Sequence, residues 1–289
     1  MIEIIVNPTA GNGRSLQIGE AAAEKLRALG KEFIIHKPEK PEDATRFARE
    51  AAQRGSETVI AIGGDGTIHK TASGLLGTKT ALGIIPAGTG NDFIKSAGVP
   101  LNWEEALDFL LSHPARPVDA GMVNDSFFMN ECGTGFDVLA LDYATEVKKR
   151  FRGLIPYMYG VIRSIISYRP TEMHLEIGDD VVLNGKYLVC AIANGSYIGG
   201  GMPIAPGADL CDGLLDILVV DAVPNWQIPF YLPSLMMGTL HKKKRVAHRY
   251  LASHCVVQCS NMRLNLDGEV IPMKEARFVC QPGALMLHW

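Results

Sequence analysis

Three short apolar runs near the start of the chain each break off at a glycine-containing loop and resume as a helix-like pattern, and this repeated unit limits what the chain can fold into. Residues 58–62 form a β-branched run that enters a turn with Gly63, Gly64 and Gly66 and leaves through Thr67 into a helix-compatible segment. Residues 2–6 run into Asn7-Pro8-Thr9-Ala10-Gly11-Asn12-Gly13, followed by helical periodicity over 15–29 that stops at Gly30. Residues 81–85 run into Pro86-Ala87-Gly88-Thr89-Gly90-Asn91-Asp92 and a short helix to about Ala97. A further strand over 32–36 and a helix over 42–54, with Ala44, Phe47, Ala48, Ala51 and Ala52 at helical spacing, complete the pattern. Alternating strands and helices imply a parallel sheet, whose ligands bind at the carboxyl ends of the strands, so the three loops are expected to converge there. Glycine lets a ligand approach the backbone, and each following helix aims unpaired N–H groups at the loop, which suits phosphate. Asp65 complicates this, because a carboxylate in the middle of the loop repels a bare phosphate; a divalent metal or ribose hydroxyls would reconcile them. The stretch matches neither GxGxxG nor the lysine-containing Walker loop.

With 289 residues, 47% of them apolar and 20% charged, the chain can bury a large core and its length favours two domains. A formal net charge of −3 argues against bulk attraction to nucleic acid, so no nucleic-acid partner is expected. The six cysteines form no CxxC pairs and read as reduced, mostly buried thiols. The opening MIEIIVNP has no basic n-region, and a cytoplasmic location is the expectation. From about residue 115 the texture becomes mainly β, with strands expected over 116–123, 126–132, 173–177, 187–193 and 214–220. Hairpin turns are expected at Asn184-Gly185 and Asp267-Gly268, and helical excursions over 138–168 and 225–240.

NPTAG at 7–11, GGDGT at 63–67, GIIPAGTGNDF at 83–93, VDAG at 118–121, DLCDGLLD at 209–216 and DGE at 267–269 resemble, in order, the bacterial soluble diacylglycerol kinase and YegS-like lipid kinase family. The resemblance covers almost the whole chain. It implies an α/β nucleotide-binding domain related to phosphofructokinase and NAD kinase over residues 1–122, and a β-sandwich lipid-substrate domain over 123–281. The last strand, 282–289, would return to the first domain.

By the same resemblance the protein uses ATP and Mg2+. Asn7, Pro8, Thr9, Ala10, Gly11, Gly63, Gly64, Asp65, Gly66, Thr67, Gly88, Thr89, Asn91 and Asp92 match the nucleotide positions. Asp65 and Asp119 match acids of the nucleotide-magnesium network. Asp212, with the main chain of Asp209 and Leu214, matches a second, structural magnesium site. Asp267 and Glu269 match the segment that takes the proton of the lipid hydroxyl, and two acids one residue apart could divide base and metal roles. The chain departs from the family at His69-Lys70, where an asparagine and a glutamate are usual, and at Pro38, where relatives carry a threonine; His69 itself reads as a helix-surface residue.

The expected reaction is ATP-dependent phosphorylation of a lipid hydroxyl such as that of diacylglycerol. NAD kinase and a catalytically silent nucleotide- or lipid-binding regulator are the alternatives. Residues 222–240 carry no charge, but Pro224, Pro229 and Pro233 argue against a membrane span. With His241-Lys242-Lys243-Lys244-Arg245 following, and Lys148, Lys149, Arg150 and Arg152 preceding a second apolar stretch, peripheral contact with the inner face of a membrane is expected. Packing of both helical stretches on the sandwich, or a homodimer interface over the same faces, is the competing expectation.

Overall fold

The computed structural model describes residues 1–147, 151 and 155–289. The chain divides into two compact units, Met1–Ala120 with Pro282–Trp289, and Gly121–Gln281.

The first unit is built from β1 (Ile2–Val6), α1 (Arg14–Ala28), β2 (Phe33–His36), α2 (Pro41–Gln53), β3 (Thr58–Gly63), α3 (Asp65–Leu75), β4 (Ala81–Pro86), α4 (Asp92–Ser96) and α5 (Trp103–Ser112). Strand β5 (Ala115–Val123) begins in this unit and ends in the second. The sheet is parallel, with β1 between β2 and β3 and with β4 on the far side of β3. Strands β3 and β4 are buried at every residue, which is why they read as unbroken apolar runs, whereas the edge strand β2 leaves Ile34 and Ile35 exposed. Ile4, Val6, Ile60, Ile62, Ile85 and Leu107 pack as one cluster under α1 and α5. Helix α5 went beyond the sequence reading, although its cap is local: the Asn102 side chain accepts from the Glu104 and Glu105 N–H groups.

In the second unit come β6 (Ser126–Phe128), β7 (Glu131–Gly135), α6 (Phe136–Val147), α7 (Ile155–Ser167), β8 (Thr171–Ile177), β9 (Val181–Ala193), β10 (Tyr197–Ile198), β11 (Met202–Pro203) and β12 (Leu215–Asp221). They are followed by α8 (Ile228–Met236), β13 (Ala247–Ala252), β14 (His254–Cys259), β15 (Arg263–Leu266), β16 (Glu269–Pro272) and β17 (Glu275–His288). Pairing is antiparallel throughout, in the order β16-β15-β7-β9-β8-β14-β17, with β12 also joining β9 to β13. Phe128, Leu175, Ile192, Leu264 and Phe278 share one core, and Phe136, Val161, Leu218 and Ile228 centre a second one beneath the helices. Five cysteines, Cys132, Cys190, Cys255, Cys259 and Cys280, lie in or against the first of these cores, and burial pushes the Cys132 and Cys190 thiols well up. The last residues of β17 return to the first unit, where Met286 and Leu287 pair in parallel with Ala81 and Leu82.

Two expectations need correction. Asn184-Gly185 is no turn: both residues sit inside β9, opposite His174 and Met173, and the hairpin closes earlier, over 178–180, with Gly178 at positive φ. Asn184 is held in the strand by a cross-strand contact with His174, 2.7 Å from its Nδ1. The stretch 225–240 is a short helix, α8, flanked by single 3-10 turns, and Pro233 falls within it. Among the described residues no helix is long and apolar enough to cross a membrane. Of the expected helix over 138–168, residues 148–150 and 152–154 lie outside the described residues, and with them Lys148, Lys149, Arg150 and Arg152.

Candidate functional site

Within the first unit the loops after β1, β3 and β4 are tied to one another by side chains of the first two and backbone N–H groups of the third. Asn7, the first residue beyond β1, donates from Nδ2 to Thr67 Oγ1 at 2.9 Å, while its own Oδ1 accepts from the Thr9 N–H at 3.1 Å and the Thr9 hydroxyl at 2.9 Å. Its carbonyl accepts from Ser15 Oγ and from the Ala10 N–H, which folds residues 7–10 back on themselves. The β3 and β4 loops join at the backbone, where the Ala87 N–H donates to the Gly63 carbonyl at 2.8 Å. A Cβ built on Gly88 would lie 2.4 Å from Gly64 Cα, so these two loops touch main chain to main chain. Gly11, at φ +57, lies as close to the Ala87 carbonyl, and a side chain there would meet it at 2.4 Å.

Asp65 resolves the conflict raised by its charge. One carboxylate oxygen accepts from the Asn91 N–H and the other from the Asp92 N–H, each at 2.8 Å. Its charge is therefore spent on the third loop, where Asn91 adopts φ 54, and the N–H groups that open α3 keep their attraction for an anion. Thr89 is exposed at the tip of that loop, and Lys95 Nζ holds its base by donating to the Gly90 carbonyl at 2.8 Å. Asp119 is buried in β5, and its Oδ1 accepts from the Gly283 N–H at 2.8 Å, where the returning strand enters this unit. His69 is buried, only 8% exposed, which overturns its reading as a surface residue: α2 packs along α3, and the Thr45 hydroxyl donates to the Lys70 carbonyl at 2.7 Å. Pro38 is buried beyond β2.

In the second unit Asp267 and Gly268 form the two-residue turn between β15 and β16, at φ 46 and φ 93, as the Asp-Gly pair predicts. The Asp267 carboxylate accepts from three consecutive backbone N–H groups, Met129 at 2.6 Å, Asn130 at 3.0 Å and Glu131 at 2.9 Å. Glu269 is exposed at the start of β16. Asp209 and Asp212 each accept from the N–H two residues on, Cys211 and Leu214, at 2.9 Å, which leaves a second oxygen on each carboxylate. Among the described residues no three His, Cys, Asp or Glu side chains are grouped closely enough to hold a metal ion, so a magnesium here would draw on main-chain oxygens as well as on Asp212.

Several polar groups lay beyond the sequence reading. Glu3 is fully buried in β1, where its carboxylate accepts from Arg54 at 2.6 Å and from Ser56 at 2.5 Å and lies 2.6 Å from His36 Nε2. Burial pushes its carboxyl up, but the bonds from Arg54, Ser56 and His36 outweigh that and hold it below the usual glutamate range. Asp137, in the first turn of α6, is pushed up to about 6 by burial. No short-range pattern marks either residue, since their partners and surroundings come from distant segments.

Residues 2–123 match the diacylglycerol kinase catalytic domain, and residues 130–289 match the YegS C-terminal NAD kinase beta sandwich-like domain. A glycine-loop α/β unit followed by this sandwich defines a two-domain kinase. The diacylglycerol kinase of Bacillus subtilis strain 168 is 31% identical over 280 residues, which cover 96% of this chain and 92% of that protein. A Pseudomonas fluorescens protein named probable lipid kinase YegS-like is 33% identical over 270 residues, 93% of this chain and 89% of its own. The crystal structure of a diacylglycerol kinase from Bacillus anthracis strain Sterne shares the fold with a TM-score of 0.78 at 23% identity, covering 100% of this chain and 96% of that one. The chain belongs to the diacylglycerol kinase and YegS-like lipid kinase family.

Proposed function

We propose that the protein transfers the terminal phosphoryl group of ATP to the hydroxyl of a membrane lipid, diacylglycerol being the first candidate and phosphatidic acid its product. The observation that carries this reading is the bracing of three glycine loops by Asn7 and Asp65 at the carboxyl ends of β1, β3 and β4. Phosphoryl transfer leaves little covalent work to the protein and depends on holding phosphates in place and spreading their charge. Of residues 7–11 and 64–67, the Gly11, Gly64, Asp65 and Gly66 N–H groups, with the Thr89 hydroxyl, suit the phosphates, because Pro8 has no N–H and those of Asn7, Thr9, Ala10 and Thr67 already donate within this unit; Gly63, Gly88, Asn91 and Asp92 give those loops their shape. Magnesium, when bound, neutralises phosphate oxygens; Asp65 would meet it through lone pairs that Asn91 and Asp92 leave over, and Asp119 is the other acid of this unit suited to it. A second magnesium, held by Asp212 and the main chain of Asp209 and Leu214, would be structural. In the second unit Glu269 is the exposed carboxylate suited to take the hydroxyl proton, a role worth about 10²- to 10⁴-fold in rate.

The lipid would be met at a membrane surface. Ile155, Met158, Ile162 and Ile166 form one exposed stripe of α7, Ile166 at 77%, and Trp226 just before α8 and Phe230 within it are 68% and 71% exposed. Large apolar side chains are rarely left in water in such a group unless they meet lipid or another protein. Lys242, Lys243, Lys244 and Arg245 follow α8 and suit anionic headgroups of the inner leaflet. The test is incubation with MgATP and a panel of vesicle-borne lipids, read by mass spectrometry. A single phosphorylated lipid class is the expected result; phosphorylation of NAD, or of nothing in the panel, would overturn the proposal.

A further inference from the structure

The DGE segment holds two carboxylates one residue apart, and their surroundings differ. The Asp267 carboxylate is spread over the Met129, Asn130 and Glu131 N–H groups, while the Asp267 N–H donates to the Glu131 carbonyl at 3.0 Å. One residue thus clasps the turn between β6 and β7 from both sides. That turn is itself fixed from behind: Asn194 Nδ2 donates to the Met129 carbonyl at 2.9 Å, the Asn194 and Gly195 N–H groups donate to the Asn130 carbonyl, and Asn130 Nδ2 reaches the Tyr197 carbonyl at 2.6 Å. On the other side the Asn265 side chain accepts from the Gly268 N–H at 2.9 Å, and Leu266 and Asn265 pair with Cys132 and Gly133. Successive N–H groups converging on one carboxylate form an anion nest, and each such bond fixes the carboxylate in place. A general base needs lone pairs within reach of the proton it takes, and three of the roughly four acceptor positions of the Asp267 carboxylate already face backbone N–H groups.

Resting on the lipid-kinase reading above, we infer that Asp267 is a positioning residue: it seats the two-residue turn on the Met129–Glu131 backbone and so aims Glu269, which acts as the base. The acid environment makes the clasp matter. The Glu131 and Asp137 carboxylates both lie against Gly133, where a Cβ would stand 2.3 Å from Glu131 Oε1 and 2.7 Å from Asp137 Oδ2, so acids flank the strand that Asp267 is seated on. Without the N–H groups to absorb its charge, Asp267 would be driven out of its seat and Glu269 would move with the turn.

Two readouts test this on the full-length protein. The first is backbone amide exchange followed by NMR, with the Leu175 amide in the middle of β8 as internal reference. In Asp267→Ala the Met129, Asn130 and Glu131 amides are expected to exchange at least tenfold faster than in the wild type, whereas in Glu269→Gln they are expected to keep the wild-type rates; unchanged protection in Asp267→Ala overturns the proposal. The second is the pH dependence of turnover with MgATP and phosphatidylglycerol vesicles carrying dioleoylglycerol. Asp267→Asn keeps an acceptor oxygen and is expected to lose 10- to 100-fold in kcat while retaining the acid limb of the profile; Glu269→Gln is expected to lose the limb itself. The reverse pattern, with the limb lost in Asp267→Asn and kept in Glu269→Gln, makes Asp267 the base and refutes the inference. Absence of any lipid turnover in the wild type counts against the lipid-kinase reading, and the exchange result then decides the seating of Asp267 by itself.

Discussion

Replacing Gly88 with alanine tests whether the loops act as one unit. The added Cβ would stand 2.4 Å from Gly64 Cα and 3.1 Å from Asn91 Oδ1. Carbon atoms rest at about 3.5 Å or more, so the β3 and β4 loops must part by about 1 Å. Both sides of the contact are main chain, and neither can rotate away. The strain corresponds to overpacking of about 1–3 kcal/mol. Its larger effect is on chemistry: the N–H groups opening α3 and the Thr89 hydroxyl would no longer fit one phosphate chain, and a 1 Å misplacement costs roughly 10²-fold in rate. The assay is kcat/KM for ATP at saturating lipid, alongside thermal melting. Gly66→Ala supplies the stability contrast, because a Cβ there meets no atom within 4 Å and alanine favours the first turn of α3, so its melting temperature should hold or rise. If Gly88→Ala keeps kcat/KM for ATP within threefold of wild type, the loops do not act together and the reasoning fails.

The Glu3 network predicts acid sensitivity in the first unit. Because the folded-state carboxyl lies below its unfolded value near 4.5, its contribution is complete above that pH and drains away as the pH falls through the lower folded value. Glu3→Gln should flatten this part of the stability–pH curve and cost about 1–3 kcal/mol at neutral pH, the half-exposed Arg54 limiting the loss; an unaltered acid transition in urea titrations refutes it. EDTA and Asp212→Ala should each lower the melting temperature, with the two effects overlapping because they remove the same ion, and fully additive shifts would exclude a metal at Asp212. Co-sedimentation with vesicles should rise with anionic lipid, fall with salt and weaken when Lys242, Lys243 and Lys244 become glutamine, each cation being worth roughly 1 kcal/mol near the surface. Salt-insensitive binding, or self-association of the protein in place of vesicle binding, would sink the electrostatic docking idea.

What could be read from residue order alone was whatever is written within a few residues. The apolar runs of β1, β3 and β4, the glycine loops after them and the Asp-Gly turn at Asp267 were legible because strand burial and turn geometry depend on adjacent side chains. The order of those motifs was enough to name the family. Asn184-Gly185 misled for the same reason: the pair favours a turn locally, but β8 and β14 supply a sheet that holds it extended. The strands Ala247–Ala252 and His254–Cys259 escaped the reading because their polar outer faces blur the alternation. Only the tertiary structure decided what the acids do. Asp65 turns to N–H groups 26 and 27 residues away, Asp267 to others 136 to 138 residues away, and Glu3 to Arg54 and Ser56 more than fifty residues on. A carboxylate's role follows from which donors the fold brings to it, and those donors are backbone groups that every residue but proline carries, so no letter in the sequence marks them.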